Sequence, residues 1–281
     1  MVTRFAPSPT GRLHLGHAYS AWQAWERVQR GGGRFLLRFE DIDHTRVRDE
    51  FYQLIEEDLR WLGLSWSESP WRQLDRLAAY KVAFESLKEG GLVYPCFCTR
   101  KDLAQTAPQT GDEASLYAGT CRLLPADERE RRLREGVGCS WRLDMEKAGQ
   151  QVGELFFRDE RFGKVLVQPS LLGDPVLARK DIATSYHLAV VVDDAAQEVS
   201  DIIRGQDLLE STHVHRVLQE LLGYPAPAYF HHDLVVDEEG KRLAKRHDSL
   251  AIAVLREEGW SADRVLAEAL RSVREGCAER G

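Results

Sequence analysis

The chain has 281 residues, of which 43% are hydrophobic and 30% are charged, a balance typical of a globular protein with a substantial core. Its formal net charge of −7 argues against a general nucleic-acid coat protein, although a local basic face is compatible with it. The N-terminus lacks the apolar core of a signal peptide, and no apolar run approaches the roughly 20 residues that span a bilayer. We therefore expect a cytoplasmic protein without membrane contact.

The first predicted strand covers residues 2–5 and leads into an unusual loop, RFAPSPTGRLHLGH, at 4–17. Two prolines and a glycine exclude regular structure from this loop. His14 and His17 close it at the start of a helix predicted over 18–29. Free backbone N–H groups, the helix dipole and two ring N–H groups favour an anion such as phosphate there. A lone His-x-x-His is more often a cap or a surface pair, so the prediction depends on the whole run.

A triple glycine, Gly31–Gly33, ends that helix, and the run RFLLRF at 34–39 predicts a second strand. Strand, helix and strand in this order indicate a doubly wound nucleotide-binding sheet. Glu40 follows at the carboxyl end of the strand, where such sheets bind ligands. It is equally compatible with an acid at a helix start, because another helical pattern begins after Asp43.

Apolar residues at helical spacing predict helices over 50–62 and 73–89, and a short strand follows at 92–94. Cys96, Cys98 and Cys121 come next, close together in the chain. The odd total of five cysteines argues against a disulfide framework. Three clustered cysteines predict a tetrahedral zinc site, but no His or Cys offers an obvious fourth ligand, so three small buried thiols remain the alternative.

Residues 137–168 alternate in strand fashion, which indicates a β-rich insertion before the chain returns to the main fold near Asp174. An apolar run with Tyr186 and His187 follows, and the next buried strand ends at Arg204. The remaining predicted elements are a strand at 230–236, a basic loop at 241–246, and helices at 207–222, 249–257 and 262–275.

The opening run resembles the ATP-binding signature of class I aminoacyl-tRNA synthetases, in the form found in the glutamyl-tRNA synthetase family. Four further segments resemble motifs of that family in the same order, so the similarity runs from Arg4 to about Ser249. They are FEDIDHTR at 39–46, YHLAVVVDD at 186–194, DIIRGQDL at 201–208 and KRLAK at 241–245.

The resemblance implies an α/β fold with a Rossmann-type parallel sheet, interrupted by a zinc-containing insertion and followed by a short helical C-terminal region. The implied divisions are 1–94 and 173–236 for the two halves of the nucleotide-binding domain, 95–172 for the insertion, and 237–281 for the KRLAK loop with the final helices.

Two departures from the family are informative. The chain ends soon after Lys245, where glutamyl-tRNA synthetases continue into an anticodon-binding domain, and Ala18-Tyr19-Ser20 replaces a common Ala-Arg-Thr. Both features fit the short paralogous family of glutamyl-queuosine tRNA(Asp) synthetases, which attach glutamate to queuosine in the anticodon loop. The resemblance thus implies ATP with Mg²⁺, L-glutamate and queuosine-bearing tRNA(Asp) as substrates, one structural Zn²⁺, and a monomeric enzyme.

The resemblance also implies roles for individual residues, and a dicarboxylate substrate suits two guanidinium groups. Which arginine grips which carboxylate stays open. Ala244, in place of a serine of the family loop, removes one hydroxyl donor. The implied zinc ligands are Cys96, Cys98, Tyr117 and Cys121; the glutamate-binding residues are Arg4, Phe5, Ala6, Pro7, Ser8, Glu40, Tyr186 and Arg204; the ATP-binding residues are His14, Gly16, His17 and Lys245, and of these His14, His17 and Lys245 are catalytic.

Three other functions are compatible with parts of this pattern. A glutamyl-tRNA ligase reduced to its catalytic core would charge a tRNA 3′ end instead. A glutamate sensor would bind the amino acid without phosphate chemistry, which leaves the two histidines and Lys245 unexplained. A small-molecule adenylyltransferase shares the histidine signature, but it has no need of the set Arg4, Glu40, Tyr186 and Arg204.

Overall fold

The computed structural model describes residues 1–99, 101–103, 117, 119–235 and 251–278, with only the backbone of 274–278. Its strands are β1 (Val2–Phe5), β2 (Arg34–Phe39), β3 (Trp71–Arg72), β4 (Val93–Cys96), β5 (Ser140–Leu143), β6 (Phe156–Asp159), β7 (Gly163–Leu166), β8 (Val176–Ala178), β9 (Asp201–Gly205) and β10 (Ala228–His232). Its α-helices are α1 (Leu15–Gly31), α2 (Asp49–Trp61), α3 (Leu77–Glu89), α4 (Ala126–Arg134), α5 (Met145–Val152), α6 (Tyr186–Ala196), α7 (Leu209–Leu221), α8 (Ile252–Glu257) and α9 (Ala262–Ala278).

The central sheet consists of two parallel halves side by side, β3–β2–β1 and β9–β10, which place the strands in the order β3, β2, β1, β9 and β10. β2 pairs in parallel with both β1 and β3, and β9 pairs in parallel with β10. The two halves meet where the backbone N–H of Ser200 donates to the carbonyl of Val2 at 3.0 Å. The strand order reverses at this junction, so a ligand crevice is expected at the carboxyl ends of β1 and β9.

Helices cover both faces of the sheet, which confirms the predicted α/β class. One buried cluster packs the sheet against α3, α6 and α7, and a second packs it against α1, α2, α8 and α9. The alternation along β2 divides its side chains between the two faces. Phe35, Leu37 and Phe39 join the α1 side, whereas Leu36 joins the α6 side. Arg38 therefore lies on the α6 side of the sheet. Its charged side chain is completely buried there.

The first helix begins at Leu15 rather than at Ala18, because His14 is its N-cap. The Nδ1 atom of His14 accepts the N–H of Gly16 at 3.2 Å, so the chain is already helical there. At the other end Gly32 and Gly33 both have positive φ, 74° and 137°. A Cβ at position 33 would lie 1.9 Å from the carbonyl oxygen of Met1, so β2 can enter beside the N-terminus only with glycine at this position.

The segment between the halves of the central sheet divides in two. β4, β5 and β8 form a separate antiparallel sheet. β6 pairs instead with β10 of the central sheet, at Tyr229 and Asp159, and β7 pairs with β6 as a hairpin. The strands predicted within 137–168 thus belong to two different sheets. The domain boundaries at residues 94, 172 and 236 stay a prediction.

The segment after β10 returns to the opening loop. His14 forms a short antiparallel bridge with Ala251, and the N–H of Ile252 donates to the carbonyl of Leu13 at 2.9 Å. The predicted strand at 230–236 is shorter and earlier, ending at His232. The basic loop at 241–246, with Lys245, lies outside the described residues. Among the helices in the described ranges, none combines the length and apolarity that a membrane span requires.

Candidate active site

A cavity of about 220 Å³ lies at the carboxyl ends of β1, β9 and β10, at the predicted crevice. Most of the side chains that the sequence singles out meet there. Pro7 is buried and Ser8 is exposed, and neither lines the cavity. The predicted residues that do line it are Arg4, Phe5, Ala6, His14, Gly16, His17, Glu40, Tyr186 and Arg204.

The histidine pair is held by the first turn of α1. His14 Nδ1 accepts from Gly16, and His17 Nδ1 accepts the backbone N–H of His14 at 3.3 Å. A neutral ring that accepts at Nδ1 carries its proton on Nε2, so both rings have Nε2–H groups to donate. A Cβ at Gly16 would lie 3.2 Å from Cε1 of His14, so any side chain there would press on that ring.

Arg4 forms an ion pair with an acid that is not among the predicted site residues. Its Nε and Nη2 donate to the two carboxylate oxygens of Asp194, at 2.9 and 3.3 Å, and both side chains are about 5% exposed. Nη1 of Arg4 has no hydrogen-bond partner among the described residues. Arg38 adds a second cation, with Nη2 2.8 Å from Asp194. Burial raises the pKa of Asp194, but Arg4 and Arg38 outweigh it and hold that pKa below the usual range.

Asp193, one residue earlier in α6, holds together the elements around the site. Tyr80 donates to it at 2.7 Å, and Nε of Arg76 lies 2.6 Å from its other oxygen. Gln73 donates at 3.3 Å. This fully buried carboxylate therefore fixes α3 and the turn before it against α6. The signal was present in the sequence, because two adjacent acids inside an apolar helix need cationic partners, and Arg38 in an apolar strand needs an anionic one.

Glu40 lies at the rim of the same cluster. Its backbone N–H donates to the carbonyl of Pro7 at 3.0 Å, which joins the end of β2 to the opening loop. Its carboxylate lies 3.6 Å from Nη2 of Arg38 and lines the cavity. Burial raises the pKa of Glu40 more strongly than Arg38 and Arg4 lower it. An ammonium group in the cavity would add a closer counter-charge to this acid and favour its ionised form.

Arg204 closes the other side of the cavity, held by uncharged groups. Burial raises the pKa of its neighbour Tyr186 to about 12, so the phenol remains a proton donor. The contacts of Arg204 are Nε to His231 Nε2 at 3.1 Å, Nη1 to the Tyr186 hydroxyl at 3.4 Å and to His215 Nδ1 at 3.3 Å, and Nη2 to the Thr212 hydroxyl at 2.5 Å and to the Leu208 carbonyl at 3.3 Å.

A hydrogen bond between Ser20 and His232 lies in the wall of the cavity near α1. The ring of His232 donates from Nδ1 to the carbonyl of Asp233 at 2.8 Å, so its Nε2 accepts the hydroxyl of Ser20 at 2.9 Å. In the sequence, Ser20 stands out only as part of a departure from the family pattern. The contact links α1 to the end of β10 beside Gly16 and His17.

The predicted cysteine cluster forms at the end of β4. The Sγ atoms of Cys96, Cys98 and Cys121 all lie within 4.8 Å of one another. Cys98 Sγ is 3.5 Å from Cys121 Sγ and 3.7 Å from the hydroxyl of Tyr117. Tetrahedral zinc with Zn–S bonds near 2.3 Å places its ligand atoms roughly 3.8 Å apart. The three cysteines therefore fit such an ion, and the Tyr117 hydroxyl lies beside Cys98 as the candidate fourth ligand. Cys139 packs beside them outside the group.

These features together define a class of protein. The family model for the catalytic domain of class I tRNA synthetases (E and Q) matches residues 1–274. The chain thus has the class I tRNA synthetase catalytic domain. Its parallel sheet and the site at the strand ends agree with that class. The order of the sequence motifs predicted the same class.

Two named relatives indicate a more specific family within this class. A glutamyl-Q tRNA(Asp) synthetase from Rhodobacter capsulatus is 45% identical over 271 residues, covering 93% of this chain and 96% of that protein. One from Nitratidesulfovibrio vulgaris is 43% identical over 270 residues, covering 92% and 82%. The chain belongs to the glutamyl-Q tRNA(Asp) synthetase family, which confirms the family that the motifs predicted.

A more distant relative has a solved structure. A glutamate tRNA ligase from Elizabethkingia meningosepticum, crystallised in complex with its amino acid, superimposes with a TM-score of 0.75 and is 31% identical. The match covers 89% of this chain but 52% of the ligase, so the chain spans about half the length of that protein.

Proposed function

We propose that this enzyme activates L-glutamate with ATP to glutamyl-adenylate and transfers the glutamyl group to queuosine in the anticodon loop of tRNA(Asp). One observation carries the proposal: a single cavity is lined by two arginines, a tyrosine and an acid, together with the histidine pair at the start of α1. The first set suits a dicarboxylate amino acid, and the second suits phosphate. The names of the relatives at 45% and 43% identity supply the tRNA and its modified base.

Glutamate would bind between the two arginines. The proposed side-chain carboxylate partner is Arg204, because its charge has no carboxylate partner among the described residues, with the Tyr186 hydroxyl as a second donor. The ammonium group pairs with Glu40. Arg4 offers Nη1 to the ligand while Asp194 fixes its other two nitrogens. Phe5 and Ala6 complete the wall, and Pro7 and Ser8 stay in the proposal as parts of the loop that shapes it.

Activation is attack of the α-carboxylate of glutamate on the α-phosphorus of ATP, with pyrophosphate leaving. The carboxylate is already ionised at neutral pH, so no general base is needed. Catalysis then consists of positioning and of stabilising the charge that spreads over the phosphate oxygens. The Nε2–H groups of His14 and His17 are the proposed donors, beside Gly16. Lys245 is proposed to contact the leaving pyrophosphate of ATP, which binds as its Mg²⁺ complex.

The proposed role of zinc is structural rather than catalytic. Cys96, Cys98, Cys121 and the deprotonated hydroxyl of Tyr117 would hold one ion. The backbone N–H of Cys121 donates to that oxygen at 2.8 Å and favours negative charge on it. Burial and the neighbouring thiols raise the pKa of Tyr117, so the bound ion itself would have to stabilise the phenolate. A bound ion would tie β4 to the segment around residue 121, at a distance from the reacting groups.

Glutamate-dependent exchange of pyrophosphate into ATP is the first test. Exchange with glutamate is expected, and its absence with or without added tRNA would contradict activation. Arg4→Ala and Arg204→Ala should each raise the KM for glutamate, by roughly 10- to 100-fold for a lost charged hydrogen bond. Unchanged KM values in both variants would remove the proposed pocket.

The acceptor is tested with tRNA(Asp) that carries queuosine and with the same tRNA that lacks it. Labelled glutamate should enter only the modified tRNA. The solved ligase at 31% identity supports one alternative, a glutamyl-tRNA ligase that charges a 3′ end. Equal charging of both tRNA preparations would favour that alternative, whereas glutamate binding without exchange would indicate a sensor.

A further inference from the structure

The two arginines of the cavity differ in how their charge is compensated. Arg4 donates two hydrogen bonds to the carboxylate of Asp194. Arg204 is equally buried, at 5% exposure, but no carboxylate lies within ion-pair distance of it in the described part of the chain. Its five contacts are two histidines, a threonine, a tyrosine and a carbonyl. The protein thus fixes the geometry of Arg204 without neutralising it.

Hydrogen-bond directions show that both histidines act as acceptors. His215 accepts from Arg204 at Nδ1, so its Nε2–H donates to Nδ1 of His187 at 3.1 Å. His231 accepts from Arg204 at Nε2, so its Nδ1–H donates to Asp159 at 2.6 Å. A proton on either accepting nitrogen would place two donors against each other. Burial, and then the charge of Arg204, lower the pKa of His231 to about 4 and that of His215 well below its usual value.

Asp159 makes no direct ion pair with Arg204, because the ring of His231 lies between them. Its Oδ1 already accepts the backbone N–H groups of Arg161 and Phe162 at 2.9 and 3.0 Å, and its Oδ2 accepts the N–H of His231 at 3.1 Å. The acid fixes the ring of His231 and the tight turn of the β6–β7 hairpin. Its shortest bond, 2.6 Å from Oδ2 to Nδ1 of His231, reaches Arg204 only through that neutral ring.

We propose that His215 and His231 are positioning residues that set specificity: as neutral acceptors they orient the Arg204 fork and leave its positive charge for the side-chain carboxylate of glutamate. A carboxylate in their place would orient the fork equally well, as Asp194 does for Arg4, but would neutralise it. A buried cation without a counter-ion favours an anionic ligand over a neutral one of the same shape. The site therefore discriminates glutamate from glutamine, and this inference rests on the proposed function.

Two pairs of isosteric variants separate charge from shape. His215→Gln keeps a neutral acceptor, whereas His215→Glu supplies a carboxylate. Thr212→Asn and Thr212→Asp repeat the comparison at Nη2 of Arg204. The KM and kcat for glutamate and for glutamine are measured by pyrophosphate exchange. Each carboxylate variant should raise the KM for glutamate roughly 10- to 100-fold over its amide partner, with little change in kcat and a lower preference over glutamine. Equal glutamate-to-glutamine ratios within both pairs would overturn the inference.

A measurement on the unaltered enzyme makes the test independent of how the variants fold. In ¹⁵N spectra of histidine-labelled protein, His215 and His231 should stay neutral down to pH 5, with the proton of His215 on Nε2 and that of His231 on Nδ1. Titration of either ring near pH 6.5 would overturn the inference. Absence of any exchange with glutamate in the unaltered enzyme would instead count against the proposed function.

Discussion

Replacing Asp194 by asparagine tests whether this carboxylate holds the centre of the site together. Its carboxylate lies 2.9 Å from Arg4 and 2.8 Å from Arg38, and the three side chains are nearly or fully buried. Asparagine keeps the shape but leaves two buried guanidinium groups without this counter-charge. Removing one partner from a buried ion pair costs about 3–5 kcal/mol of unfolding free energy. For 281 residues the unfolding entropy is roughly 0.6 kcal/mol per kelvin, so the melting temperature should fall by about 5–8 °C.

Thermal unfolding followed by circular dichroism at pH 7.5 measures this effect. Glu128→Gln is the matched control, because Glu128 contacts Arg131 and Arg132 on the surface of α4, where an ion pair contributes little. The pKa of Asp194 is lowered in the folded state, so its contribution is present above the unfolded pKa and is lost as the pH falls through the folded value. The difference between the two proteins should therefore shrink in acid. A melting temperature for Asp194→Asn within about 1 °C of the original at pH 7.5 would refute the reasoning.

Three further predictions follow from single side chains. Burial raises the pKa of Asp58 to about 6, so the folded state binds its proton more tightly than the unfolded state does, and stability falls as the pH rises from about 4 toward 7. Asp58→Asn should therefore raise the melting temperature more at pH 7.5 than at pH 5. Equal gains at the two pH values would contradict this. Metal analysis should find about one zinc per chain, lost in Cys98→Ser but kept in Cys139→Ser, and loss in both or neither would remove the proposed ligand set. Lys245→Ala should slow pyrophosphate exchange with little change in the KM for glutamate, and an unchanged kcat would exclude its proposed role.

The sequence predicted the site better than the network behind it. The opening loop, Arg204 and the cysteines are recognisable because each lies in a short run of unusual composition. The partners of Arg204 are not, because His215 and His231 belong to a helix and a strand whose patterns are otherwise ordinary. The register of β9 and β10 pairs His231 with Arg204, and the packing of α7 places His215 against the same side chain. Long-range pairing of this kind leaves no local signal.

The positions at which helices and strands begin and end, and the partners they take, also depend partly on local sequence and partly on contacts between distant segments. The start of α1 shifted by a turn because a histidine served as its cap, a role more often taken by Ser, Thr, Asp or Asn. The predicted end of the next buried strand at Arg204 agrees with β9 to within one residue, because apolar residues mark it. The hairpin of β6 and β7 lies between β5 and β8 in the sequence, and alternation alone does not show which strand it pairs with. Its actual partner, β10, is made about 70 residues later, as the bond between Asp159 and His231 shows.

The bond between Arg4 and Asp194 also has a consequence for biosynthesis, because its ends are 190 residues apart in the chain. At translation rates of about 5–20 residues per second, roughly 10–40 s separate the two residues on the ribosome. During that interval β1 lacks its neighbour β9, and both Arg4 and Arg38 lack their buried counter-charge. The first half of the sheet therefore emerges as an incomplete layer, and the nascent chain acquires a finished nucleotide-binding core only after α6 and β9 have been made.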